Sequence, residues 1–296
     1  MGKRIILFVL TNVLVLLTIT LVSSIFGIQP YLSEQGINYT SLMIFCLMWG
    51  MGGAFISLAL SRVMAKWTMG VQVIDPNTTD PYQRNLLERV HALARRANID
   101  KMPQVGYYDS PEINAFATGP TKNRSLVAVS TGLLNSMREH EVDGVLAHEV
   151  AHIANGDMVT MTLVQGVVNA FVMFIARIIA FFVARFAPEE LEWMVRFAVT
   201  IALEIALSFL GMIVVATFSR WREFRADEGG ARLGGKDKMI GALQALQRTV
   251  ESVDTSHGAA MSTMKISGGS GGLMALFSTH PPLDQRIARL QGRSIA

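Results

Sequence analysis

Apolar residues gather in four long runs, and between them the pattern shortens into helical and strand periods. Residues 5–28 and 41–61 carry no charge, and the runs 158–186 and 193–218 carry little. A helix rises about 1.5 Å per residue, so roughly 20 residues cross a hydrocarbon core about 30 Å thick. Each run is therefore predicted to be a membrane helix. Elsewhere, Asp80-Pro81 reads as a cap and first-turn proline, and Leu86, Val90, Leu93 and Ala97 follow at helical spacing. Residues 104–108 and 113–118 read as short strands, 120–123 as a turn, and Leu126–Ser130 as a clear strand. Ser136-Met137-Arg138-Glu139 reads as a capping box opening a helix that stops at Asn155-Gly156. Met239, Leu243, Leu246 and Val250 mark a later amphipathic helix, and the glycine-serine run 267–272 a flexible loop. The expected fold class is α+β, predominantly α: four transmembrane helices and a domain with a small sheet.

Composition supports this division. Only 17% of the 296 residues are charged, against about 25% in soluble domains. Basic residues follow the second run (Arg62, Lys66) and the fourth (Arg220, Arg222, Arg225, Arg232), whereas loop 29–40 has none and the 187–192 turn is acidic. Basic flanks favour the cytoplasmic side. The expected organisation is a membrane hairpin at 1–62, a first cytosolic half at 63–157, a second hairpin at 158–218 and a second cytosolic half at 219–296. The first run exceeds 20 residues and no small-residue cleavage site follows it, so it is expected to remain as an anchor. Arg177 and Glu204 lie in the second hairpin, where charge is costly; either they pair or Arg177 snorkels to the interface. The single cysteine, Cys46, excludes an internal disulfide and a thiolate zinc site. The pI near 9.1 does not imply nucleic acid, because the basic residues cluster beside apolar runs.

The chemistry lies in His148-Glu149-Val150-Ala151-His152. Histidines four apart share a helix face, one turn apart, and can grip one metal ion, with the intervening glutamate beside it. Catalytic zinc takes three protein ligands and keeps a position open for water. Glu223-Phe224-Arg225-Ala226-Asp227 offers the third: Glu223 as ligand, with Asp227 on the same face to accept from a ligand histidine's far nitrogen. Asp157 is a weaker alternative, since on a continuing helix it turns about 140° away from His152. His140, His91 and His257 are expected to take no part. Glu149 is expected to act as general base. An intact glutamate there argues against a metal-binding scaffold without catalysis.

Taken together, His148-Glu149-x-x-His152, Glu223-Phe-x-Ala-Asp227, Asn114-Ala115-Phe116 and Thr279-His280-Pro281-Pro282 with Arg286 resemble the HtpX-type membrane zinc proteases, relatives of the CAAX prenyl endopeptidases. The resemblance covers essentially the whole chain. It implies a gluzincin-type domain facing the cytosol of a bacterial inner membrane, one zinc ion per chain, and broad-specificity hydrolysis of misfolded membrane proteins under stress. Membrane lipid and such substrates are the implied partners, with no nucleic acid. His280 and Arg286 become candidates to stabilise the oxyanion. Strand 126–130 is expected as an edge strand that binds substrate main chain through Val127, Ala128 and Val129, with Asn114 and Ala115 beside the cleft. A prenyl-protein processing peptidase shares the metal chemistry but usually has more spans.

Overall fold

A computed structural model of the chain describes residues 32–33, 36–256 and 276–292, with side chains over 36–249 and 276–292. The apolar run 5–28, the loop 267–272 and His257 lie outside the described residues. In chain order the elements are β1 (Leu32–Ser33), β2 (Gly36–Ile37), α1 (Tyr39–Thr68), β3 (Gln72–Val73), α2 (Pro81–Arg96), β4 (Gln104–Tyr108), β5 (Ala115–Thr121), β6 (Arg124–Ser130), α3 (Thr131–Ser136), α4 (Glu139–Asn155), α5 (Asp157–Ala184), α6 (Glu192–Gly234), α7 (Lys236–Ser256) and α8 (Leu283–Gln291). The described residues form two compact units. One joins those up to Ala59 with Thr160–Val215, and the other joins Leu60–Val159 with those from Ala216 onward.

The first unit is helical apart from the β1–β2 pair. Among the described residues, three helical stretches, Tyr39–Thr68, Asp157–Ala184 and Glu189–Gly234, are long and apolar enough to cross a membrane. Phe171, Phe197, Ile205, Phe209 and Leu210 are exposed on them, as apolar side chains in contact with lipid would be. Arg177 and Glu204 do pair, Nη1 to Oε1 at 2.5 Å, and the guanidinium also lies over the Phe45 ring, 5.4 Å from its centroid. A charge within a candidate membrane span thus has both a counter-ion and a π face.

The second unit packs helices on a four-stranded sheet of order β3-β4-β6-β5. β4 and β6 are parallel, with Val105 beside Val127; β5 and β6 are antiparallel, with Ala115 beside Val129. Val105, Val127 and Val129 face Val90 and Leu93 of α2 and Leu146, Val150 and Ile153 of α4. Burying each such aliphatic side chain contributes about 1.5–3 kcal/mol. The opposite face buries Tyr108, Leu126 and Ala128. β6 is therefore an interior strand, not the expected edge. Leu126, Val127, Ala128 and Val129 are all fully buried, and both strand edges are paired. The unbroken apolar run is itself the mark of a strand covered on both faces.

The helix starts follow local chemistry, with one shift. Asp80 Oδ1 accepts the N–H groups of Tyr82 and Gln83 ahead of Pro81. The expected cap at Ser136 is displaced, because Ser136 ends α3. α4 starts two residues later, where Glu141 Oε2 accepts the Arg138 N–H at 2.8 Å. Ser130 caps α3 instead, its Oγ accepting the Leu133 N–H at 3.0 Å.

Candidate metal centre

α4 carries His148 and His152 one turn apart, with their rings edge-on and centroids 4.6 Å apart. The two Nε2 atoms face each other at 3.1 Å. Glu223 arrives from α6, which continues unbroken from its apolar stretch to Gly234. Its Oε2 lies 3.4 Å from His148 Nε2 and its Oε1 3.3 Å from His152 Nε2. Glycine allows this approach: a Cβ at Gly230 would sit 2.9 Å from Met239 Sδ and 3.1 Å from His148 N.

The outer nitrogens both meet carboxylates. His148 Nδ1 is 3.0 Å from Asp227 Oδ1, at a bent angle. His152 Nδ1 is 2.6 Å from Asp157 Oδ2. The sequence reading turned Asp157 away by assuming a continuous helix. In fact α4 ends at Asn155, Gly156 takes a left-handed φ of 70° as its cap, and Asp157 opens α5 facing back to His152. This contact is not legible from helical spacing; its signal in the sequence is the glycine directly before an acidic residue.

Arg286 is buried and grips Asp227 twice, Nε to Oδ2 at 2.8 Å and Nη2 to Oδ1 at 2.7 Å. Its Nη1 lies 3.5 Å from Glu223 Oε2. His280, largely exposed, places Nδ1 2.9 Å from the same Oε2. Glu149 lines a cleft of about 310 Å³ together with Asn114, Ala115, His148, Glu223, His280 and Arg286. Leu133, Val145, Met239 and Leu243 supply its apolar wall. The structure thus brings Asn114, Ala115, Glu149, His280 and Arg286 to one cleft, and leaves Val127, Ala128 and Val129 in the core. His91 stands apart, its Nε2 3.1 Å from the Pro103 carbonyl.

The donor set fits a cation. Carboxylates at both Nδ1 atoms favour the protons there, which turns the Nε2 lone pairs inward. Two such lone pairs and a carboxylate then converge within 3.4 Å, a repulsive arrangement without positive charge among them. His148, His152 and Glu223 are all buried and offer ligand atoms within 4.8 Å of one another, and two nitrogens with one oxygen is a usual catalytic zinc set. The charge balance agrees. Burial pushes the Glu223 carboxyl up, but the neighbouring imidazoles of His148, His152 and His280 outweigh it and hold it far below the carboxylate range. Burial pushes the His148 imidazole down, yet Asp227 and Glu223 drive it up to about 9. The cluster strongly favours positive charge at its centre.

Comparison with known proteins accords with this geometry. Residues 81–294 match the model of peptidase family M48. A protease HtpX homolog of Bacillus subtilis is 52% identical over 300 residues, spanning 99% of this chain and 100% of that one. Protease HtpX of Shewanella oneidensis is 50% identical over 297 residues, spanning 98% and 100%. The crystal structure of S. mikatae Ste24p superposes with a TM-score of 0.63 at 16% identity, covering 98% of this chain and 67% of that one; that likeness concerns the fold alone. With a family match across most of its length and half its residues shared end to end, the chain belongs to peptidase family M48, among the HtpX proteases, and is a membrane metallopeptidase.

Proposed function

We propose that the chain is a zinc endopeptidase of broad specificity that hydrolyses misfolded or damaged membrane proteins under stress, with one ion per chain held by His148, His152 and Glu223. The observation that carries this reading is the convergence of two Nε2 lone pairs and a buried carboxylate beside Glu149 in one cleft. Bound there, zinc would polarise a peptide carbonyl and acidify a water. Glu149 takes the proton from the attacking water as its oxygen bonds to the carbonyl carbon, and returns it to the leaving amine as the C–N bond breaks. His280, exposed at the cleft, is assigned to the developing oxyanion. Because two guanidinium nitrogens already bond Asp227, Arg286 is assigned to holding Asp227 and Glu223 in place; this revises the oxyanion role given to it by sequence.

Substrate main chain is assigned to β5, whose outer edge pairs with no strand among the described residues. Ser130 N–H donates to the Asn114 carbonyl. In an antiparallel ladder the bonded pairs alternate, so Ala115 and Ala117 turn their N–H and C=O groups outward. Recognition through main chain reads few side chains and suits varied substrates. Residues 1–62 and 158–218 would form the membrane part, with 63–157 and 219–296 in the cytosol of a bacterial inner membrane; the basic residues at the C-terminal end of α1 and within α6 support that orientation. Glu149→Gln tests the reading on the purified full-length chain. Casein and membrane-protein cleavage should fall by about 10²–10⁴-fold while zinc content stays at one per chain. Undiminished cleavage would remove the enzymatic assignment.

A further inference from the structure

The two ligand histidines are oriented by different arrangements. Behind His148, Asp227 is held in turn by Arg286. Behind His152, Asp157 is 2% exposed and 2.6 Å from Nδ1, and no Lys or Arg side chain reaches it among the described residues. A buried carboxylate without a cationic partner is costly. Its compensation lies in the imidazole: an Nδ1–H donor, made more acidic when a cation sits on the ring's far nitrogen. Asp157 is also the first residue of α5, and Glu223 and Asp227 lie on α6. The three carboxylates within hydrogen-bond or ligand reach of the ring nitrogens thus come from α5 and α6, while α4 supplies the rings and Glu149.

We propose that Asp157 is a positioning residue of the metal centre: placed by the left-handed turn at Gly156, its carboxylate fixes the ring and tautomer of His152 so that Nε2 presents its lone pair to the ion. The proposal rests on the zinc reading above. Position alone does not account for the contact. An acidic residue in a helix's first turn is favourable wherever its side chain points, whereas this one is turned back onto a ligand of the preceding helix and sealed from solvent.

The test uses the full-length chain in detergent, carrying Glu149→Gln to prevent self-cleavage. Zinc affinity is measured by competition with a chelator, and the ligand field by the visible spectrum of the cobalt-loaded protein. Asp157→Ala should weaken zinc about 10–100-fold, the usual range for loss of such a partner, and shift the cobalt bands. Asp157→Ser keeps a residue suited to a helix start but lacks the reach, so it should lose affinity like alanine. Asp157→Asn keeps the shape and a neutral acceptor and should fall between. Melting temperatures of the metal-free proteins should stay close together. Parent-like affinity in Asp157→Ser would make Asp157 a helix-start residue only and overturn the proposal, as would affinity within about threefold of the parent in all three variants. Should alanine and serine variants fail to fold, Asp157→Asn decides by the same criterion. A parent that takes up no zinc would instead refute the underlying metal reading.

Discussion

Replacing Arg286 with methionine removes the guanidinium from a buried arrangement while keeping most of the side-chain volume. In the native protein that group makes two short bonds to Asp227, at 2.8 and 2.7 Å, and a third approach of 3.5 Å to Glu223. All three residues are buried. Removing one member of a buried ion pair costs about 3–5 kcal/mol, because the partner charge stays behind. For a domain of 150–250 residues each kcal/mol lowers Tm by about 2–4 °C, so the loss should be roughly 6–20 °C. Arg286→Lys keeps the charge but loses the fork; forfeiting one charge-assisted bond costs about 1.5–3 kcal/mol, or roughly 3–12 °C. Differential scanning fluorimetry of the detergent-purified protein reads both. Zinc affinity should fall alongside, since Asp227 faces His148 Nδ1. A direct oxyanion role leaves a different signature: kcat drops while Tm and zinc affinity hold. That result would refute the assignment of Arg286 to holding Asp227.

Three further perturbations probe other parts of the site. Gly156 has φ 70° while a Cβ there meets only Lys122 Cε at 3.6 Å, so Gly156→Ala should cost about 1–2 kcal/mol from backbone strain alone, and an unchanged Tm would contradict the left-handed turn. Asp143 is pushed up by burial, but hydrogen bonds from Lys238 and Arg89 outweigh that and hold it below the usual aspartate range; its contribution is therefore full above the unfolded value near 3.9 and disappears as pH falls through the lower folded one. The Tm gap between parent and Asp143→Asn should accordingly be widest near neutrality and close in acid, and a gap independent of pH would count against the pairing. Ala117→Pro deletes an outward N–H on an edge strand that tolerates proline; kcat/KM on casein should fall about three- to tenfold, the worth of one main-chain hydrogen bond, with Tm nearly unchanged, and full activity would exclude strand addition at this position.

Much of the chemistry was legible in the chain because it is encoded locally. The spacing of His148 and His152 fixes a shared face through the helical period alone. The pairing of Glu223 with Asp227 obeys the same rule, and the helix start at Asp80-Pro81 and the stop at Gly156 are set by equally local cap chemistry. The three described helices long and apolar enough to cross a membrane are legible because hydrocarbon demands an uninterrupted apolar length. What these patterns do not encode is which distant groups meet. β6 reads as a strand from its own residues, but whether its edges are free depends on β4 and β5 arriving on either side. Ser136 carries the composition of a cap, yet it ends α3, and the next helix takes Arg138 as its cap and starts at Glu139. Asp157 is turned the wrong way by extrapolating a helix that in fact ends two residues before it, at Asn155. Arg286 lies 59 residues from Asp227, a separation at which no periodicity constrains contact. Sequence alone determined which residues could bind a metal and which helices could cross a membrane, because both follow from short-range geometry. Only the tertiary structure decided which carboxylate faces each imidazole and which strand edge is left unpaired among the described residues, because these depend on long-range packing.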